Sequence, residues 1–166
     1  MTESNKAILL LGSNIEPRLE FLKEAMNQIS MVAGEIIDSS KIYESDALGF
    51  DSDQRFLNQV IEINTKHRPK ELLDHCMIIE NKIGRIRDPE NKVMSSRKID
   101  IDILYFNDLI IETEDLVIPH PRLHERMFTL VPLEDLSTNI IHPILKVSNS
   151  ELLKKCGDKS EVRITR

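Results

Sequence analysis

Tryptophan is absent from this chain, and two tyrosines and five phenylalanines hold the aromatic share to 4%. A site that stacks a planar ligand must therefore be built from very few rings. Cysteine is almost as sparse. Cys76 and Cys156 show neither metal-ligand spacing nor the density of a disulfide framework, so a reduced, cytoplasmic setting is expected. Long hydrophobic runs are missing too: residues 7–11 form an apolar stretch too short for a signal-peptide core or a membrane span. Positive charge is not in excess. With 22 basic against 28 acidic residues the net charge is −6, which argues against a general nucleic-acid surface. No repeat, low-complexity tract or linker divides the 166 residues, a length that suits one domain spanning 1–166.

The acidic average conceals a basic island. Between residues 82 and 98, Lys82, Arg85, Arg87, Lys92, Arg97 and Lys98 face only Asp88 and Glu90, a local charge of +4 that leaves −10 for the remainder. Such a concentration suits a small anionic ligand held locally, because a focused field survives where the global charge opposes it.

Hydrophobic patterning predicts a strand over 7–11, stopped by Gly12-Ser13-Asn14, with Gly12 making a turn and Ser13 or Asn14 capping the next helix. That helix is expected from about Pro17, with Leu19, Leu22, Ala25, Met26 and Ile29 on its apolar face and Gly34 at its end. Residues 35–44 read as extended, and the alternation of 55–65 as a strand. A second helix opens at Pro69, carries Leu72, Leu73, Cys76, Ile79 and Ile83, and stops at Gly84. Beyond it come a strand over 99–106, a single short helix over 124–130 and another over 151–156. The order βαββαβ predicts an α+β, ferredoxin-like sandwich with additional C-terminal strands and short helices.

The strongest chemical signal is Asp100-Ile101-Asp102. Alternation along a strand sends both carboxylates to one face, about 7 Å apart. Their repulsion is relieved by a hard divalent cation, and Mg²⁺ commonly takes one or two carboxylates together with phosphate oxygens. A solvent-facing acidic strand edge is the competing reading. Arg85, Arg87 and Arg97 lie close by in sequence, and guanidinium forks bind phosphate oxygens bidentately. Carboxylates beside arginines are what phosphoryl transfer requires, whereas any single arginine could equally belong to a solvated loop. Phe56 and Asn58 share a strand face, as a stacked and hydrogen-bonded heterocycle would need and as an ordinary core Phe with a satisfied Asn would also show. Neither a Walker-type GxxxxGK[ST] nor a GxSxG elbow occurs. From these residues, a Mg²⁺-dependent enzyme acting on a nucleotide competes with a non-catalytic, ferredoxin-like nucleotide-binding or regulatory module. An RNA-recognition domain fails for want of an aromatic-rich strand.

An ordered series of short motifs adds to this reading: Leu11-Gly12-Ser13-Asn14, Ala47-Leu48-Gly49, Phe56-Leu57-Asn58 and Gly84-Arg85-Ile86-Arg87, then 97–104, Pro119-His120-Pro121-Arg122, 125–128 and Val131-Pro132-Leu133. Together they make the chain resemble the 6-hydroxymethyl-7,8-dihydropterin pyrophosphokinase family of the folate pathway. The resemblance implies transfer of a diphosphoryl group from ATP to the pterin's hydroxymethyl oxygen, with release of AMP. It implies that Asp100 and Asp102 hold two Mg²⁺ ions and that Arg85 and Arg97 are catalytic. Glu80, Arg87, Ile103, His120 and Arg126 match positions that contact ATP. Phe56 and Phe128 would sandwich the pterin, Asn58 would read its polar edge, and Ser45 and Leu48 would complete the slot. The implied partners are these two small molecules; charge and hydropathy add the expectation of no nucleic acid and no membrane, and a monomer is the default for a single domain. Met94-Ser95-Ser96 stand where many relatives carry Trp-Gly-Pro, and Phe56 where some carry Tyr.

Overall fold

The computed structural model describes residues 3–46, 55–84 and 98–165. Its elements run β1 (Asn5–Ser13), α1 (Arg18–Val32), β2 (Glu35–Ser39), β3 (Tyr43–Ser45), β4 (Phe56–Thr65), α2 (Pro69–Ile83), β5 (Asp100–Phe106), β6 (Ile111–Glu112) and β7 (Val117–Ile118), a 3-10 turn (Leu123–Glu125), α3 (Met127–Leu133), α4 (Asn149–Lys155) and β8 (Val162–Ile164).

The short apolar run at the start becomes the middle of the sheet. β1 pairs antiparallel with β4 on one side and β5 on the other, and the sheet order is β5-β1-β4-β3-β8, with β2 also on β4. The core strands thus have the expected ferredoxin-like arrangement, and β8 extends the sheet beyond it. Alternation splits β1 between two cores. Ala7, Leu9 and Leu11 pack with Leu22, Ile29, Leu72 and Ile79 of α1 and α2, whereas Ile8 and Leu10 pack with Leu130, Leu133 and Leu152 of α3 and α4. Truncating a buried leucine such as Leu9 to Ala costs about 2–5 kcal/mol. No helix among the described residues is long and apolar enough to cross a membrane.

Several local expectations need correcting. Gly12 and Ser13 belong to β1 itself. The residue before α1 is Pro17, which makes no side-chain cap, so the turn-and-cap reading of Gly12-Ser13-Asn14 fails. Leu19 is exposed rather than part of the buried face of α1, which consists of Leu22, Ala25 and Ile29. The extended stretch 35–44 is broken into β2 and β3 around Ser40, whose Oγ accepts the Val60 N–H at 2.9 Å. The expected single helix over 124–130 is a 3-10 turn followed by α3, because Arg126 between them is extended (φ −127°, ψ 115°). By contrast, α2 runs as patterned. Pro69 stands at its start, Glu71 accepts the Arg68 N–H at 2.8 Å, and Gly84 ends it at φ 110°, where other residues are strained.

Candidate active site

Strand register brings the site together. Gly12 on β1 is flanked by Asn58 of β4 and Asp100 of β5, and Leu10 by Val60 and Asp102. Asn58 and Asp100 therefore lie abreast with one strand between them, about 10 Å apart at the interstrand spacing of sheets. Phe56, Asn58, Asp100 and Asp102 share the sheet face carrying α3 and α4, and that layer stops short of Gly12. The result is a cleft, open to solvent, lined by Leu10, Gly12, Ser45, Asp46, Phe56, Asn58, Asp100, Asp102, Arg126 and Phe128.

One end of the cleft suits a flat, polar-edged ligand. Phe56 comes from the start of β4, and Phe128 from the first turn of α3. Between these elements Asn58 is only 3% exposed, and its Nδ2 donates to Ser45 Oγ at 2.7 Å. That bond fixes the amide and leaves Oδ1 over the floor, 3.5 Å from where a Cβ on Gly12 would stand. Without a side chain at Gly12 the floor is backbone, and a planar ligand can approach it.

The other end is charged. Asp100 and Asp102 are half-buried side by side, and Arg126 faces them. Burial lowers the pKa of Arg126, the nearby carboxylates of Asp102 and Asp100 act the other way, and a guanidinium remains charged under any such shift. Its Cζ lies 5.5 Å from the Phe128 ring centroid, so the cation rests on one of the two rings that line the cleft. His120, an expected ATP contact, stands behind Arg126 and Asp100 and is not itself in the lining; it is pushed down to about 4 by burial, then by the positive charge of Arg126, against the pull of Asp100. It is therefore neutral near pH 7. Its Nδ1 accepts the Arg122 N–H at 3.2 Å, which puts the ring proton on Nε2. Two hard carboxylates fit Mg²⁺. Among the described residues no cluster of three or more His, Cys, Asp or Glu could hold a metal by protein groups alone, so phosphate and water would complete the shell.

Of the expected residues, Ser45, Phe56, Asn58, Asp100, Asp102, Arg126 and Phe128 meet in this one cleft. Ile103 is 5% exposed and packs in the core on the opposite face, so its side chain does not line the cleft. Glu80 does not line it either. It is 3% exposed, and its Oε1 accepts the Ile101 N–H at 2.8 Å beneath β5. Leu48, Arg85, Arg87 and Arg97 lie outside the described residues, as does most of the basic island. Gly12, Leu10 and Asp46 line the cleft although no sequence pattern marks them as ligand contacts. The one available signal, Gly12 closing an apolar run, reads equally well as a turn.

Residues 8–138 match the family described as 7,8-dihydro-6-hydroxymethylpterin-pyrophosphokinase. The chain belongs to this family. Against the 2-amino-4-hydroxy-6-hydroxymethyldihydropteridine pyrophosphokinase of Bacillus subtilis it is 40% identical over 138 residues, covering 82% of this chain and 81% of that one. Against the folic acid synthesis protein fol1 of Pneumocystis carinii it is 34% identical over 155 residues, 93% of this chain but 20% of that far longer protein. The Plasmodium falciparum HPPK-DHPS crystal structure with pteroate superposes with a TM-score of 0.77 at 17% identity, over 93% of this chain and 45% of that one, a likeness of fold.

Proposed function

We propose that this pyrophosphokinase-family chain transfers the diphosphoryl group of ATP to the hydroxymethyl oxygen of 6-hydroxymethyl-7,8-dihydropterin, as a step of folate biosynthesis. In that reaction the alcohol oxygen forms a bond to the β-phosphorus, the bond from that phosphorus to the α–β bridging oxygen breaks, and AMP leaves. The observation that carries this reading is the cleft itself. It joins an anchored amide and two aromatic residues to a carboxylate pair and a half-buried arginine, with Asn58 and Asp100 abreast on β4 and β5 and β1 between them.

Each half has a physical task. Phe56 and Phe128 would sandwich the pterin, and Asn58, held by Ser45, would accept from its N–H edge through Oδ1. Backbone near Leu48 would close that slot. Asp100 and Asp102 would hold Mg²⁺, two ions by the family resemblance, and the metal supplies neutralisation of the phosphate charge. Arg126 offers a permanent cation, and neutral His120 an Nε2–H donor that adds no charge. Glu80 would act through β5 rather than by reaching into the cleft. Ile103 would meet ATP through its peptide groups, which alternate onto the same outer edge of β5 as the Ile101 N–H. Arg85 and Arg97 would stabilise charge moving across the transferred group, with Arg87 holding ATP. Diphosphoryl transfer rests on positioning and electrostatics more than on covalent work, so the missing nucleophile motif is no obstacle. Incubation with ATP, Mg²⁺ and the pterin tests the reading: AMP must appear, and only when the pterin is present.

A further inference from the structure

The C-terminal segment lies beyond residues 8–138, the part that matches the family, yet it grips the cleft at two points. At the first, Asp158 Oδ2 accepts the backbone N–H of Met127 at 2.9 Å. Met127 is the first residue of α3, between Arg126 and Phe128, and Arg126 before it supplies no side-chain cap. The cap for this helix therefore arrives from a carboxylate 31 residues further along the chain. Asp158 is itself braced, its Oδ1 accepting the Ser160 N–H at 2.9 Å. Burial alone would raise its pKa, but the hydrogen bonds from Ser160 and Met127 hold it below the ordinary carboxylate value, so it meets the positive end of α3 as an anion.

At the second point β8 adds to the sheet beside β3. Val162 pairs with Ser45, and Arg163 with Glu44. The Thr165 N–H then donates to the Ile42 carbonyl at 3.0 Å. Ser45 is the residue that anchors Asn58. Residues 158–165 thus bridge the elements that carry Phe128 and the Ser45–Asn58 pair, the two sides of the proposed pterin slot. Neither grip touches Asp100 or Asp102.

We propose that Asp158 is a positioning residue for the pterin slot, setting the first turn of α3 and with it the seat of Phe128, while β8 steadies Ser45. This rests on the pterin reading above. A small displacement of a stacking ring weakens planar binding without disturbing carboxylates on another strand. Arg126, which the reading above gives to ATP, directly precedes Met127, so the effect should fall on both substrates but more heavily on the pterin. The ligand feels the lost cap only through the displaced seat of Phe128, so the loss of affinity should be several-fold rather than complete.

The test compares wild type, Asp158→Ala and Asp158→Asn. Pterin binding is measured by titration in the presence of a non-hydrolysable ATP analogue and Mg²⁺, alongside KM for each substrate and kcat. Expected is a roughly three- to tenfold weaker pterin affinity and higher pterin KM for D158A, with the KM for ATP raised clearly less than that for the pterin. D158N keeps one of the two acceptor oxygens, enough for the Met127 N–H once the Ser160 bond is given up, and should recover part of the loss. Unchanged pterin affinity in D158A overturns the inference, as does equal weakening toward both substrates or failure of D158N to recover. If D158A does not fold, amide exchange in the unaltered protein decides. The Met127 amide must be protected, and more so with pterin bound; free exchange there overturns the inference. A wild-type protein that binds no pterin overturns the functional reading itself, whatever the variants do.

Discussion

The carboxylate of Glu80, buried beneath the sheet, accepts the backbone N–H of Ile101 at 2.8 Å, at the residue that separates Asp100 from Asp102. Among the described residues β5 ends the sheet on this side, so no described strand pairs with its outer edge, and α2 supplies an acceptor for the Ile101 N–H there. The position of both cleft carboxylates thus depends on a side chain that does not line the cleft.

Replacing Glu80 by Ala leaves a buried N–H without its acceptor, at a cost of about 1–3 kcal/mol. The thermal midpoint should fall by several degrees, and the Mg²⁺ concentration for half-maximal activity should rise several-fold. Glu80→Gln keeps an acceptor oxygen and should recover most of the Mg²⁺ dependence. A Mg²⁺ titration of the three proteins checks this, and an unchanged midpoint in E80A would count against the role.

The Asn58–Ser45 bond predicts graded effects on the pterin. Asn58→Ala removes the acceptor at the ligand's edge and should weaken pterin affinity roughly 10- to 100-fold. Ser45→Ala only frees the amide to rotate and should cost roughly threefold to tenfold. Titration of each variant with the pterin measures both. S45A costing more than N58A would contradict the arrangement.

Gly12→Ala separates fold from site. The new methyl would stand 3.5 Å from Asn58 Oδ1 and 3.6 Å from Phe56 Cδ1, ordinary contact distances, so the chain should fold with its stability nearly unchanged. The same methyl raises the floor of the cleft, and pterin KM should rise roughly tenfold. Thermal melts and steady-state kinetics on one preparation decide; a large stability loss would mean that the strand, and not the ligand, needs this glycine.

This contrast marks how far local patterns reach. β5 and the shared face of Asp100 and Asp102 are legible in the sequence from simple alternation, and Phe56 with Asn58 from the same rule. α2 is legible from apolar spacing between a starting Pro69 and a closing Gly84. Gly12 is not, because a glycine after an apolar run signals a turn as readily as a bare sheet floor. Only register, with Asn58 on one side and Asp100 on the other, tells the two apart. The Glu80–Ile101 and Asp158–Met127 bonds join residues 21 and 31 positions apart through tertiary packing, which no local pattern encodes. The break at Arg126 is of the same kind, since the helix after it is capped from the far tail.

Acid stability should report on His142, away from the cleft. Burial, and next the neighbouring His124, lower its pKa below the ordinary 6.5, and its Nδ1 accepts the N–H groups of Ile144 and Leu145 at 3.2 and 3.1 Å. Between the lowered folded value and 6.5 the unfolded chain binds more protons, so stability rises with pH through this window. It is fully present above the unfolded value and declines as the pH drops toward the folded one. His142→Asn keeps an acceptor without the titration and should flatten this part of the profile, as denaturant melts from about pH 8 to about pH 5 will record. An equally steep decline in H142N would assign the acid sensitivity to other groups.

The most direct test of the whole is the nucleotide product. With ATP, Mg²⁺ and 6-hydroxymethyl-7,8-dihydropterin, the folded protein should release one AMP for each pterin diphosphate formed. It should form none without the pterin and almost none after the paired changes Asp100→Asn and Asp102→Asn, which should still bind the pterin. Absence of pterin-dependent AMP, release of ADP in its place, or near-normal turnover by the double variant would contradict the proposed chemistry.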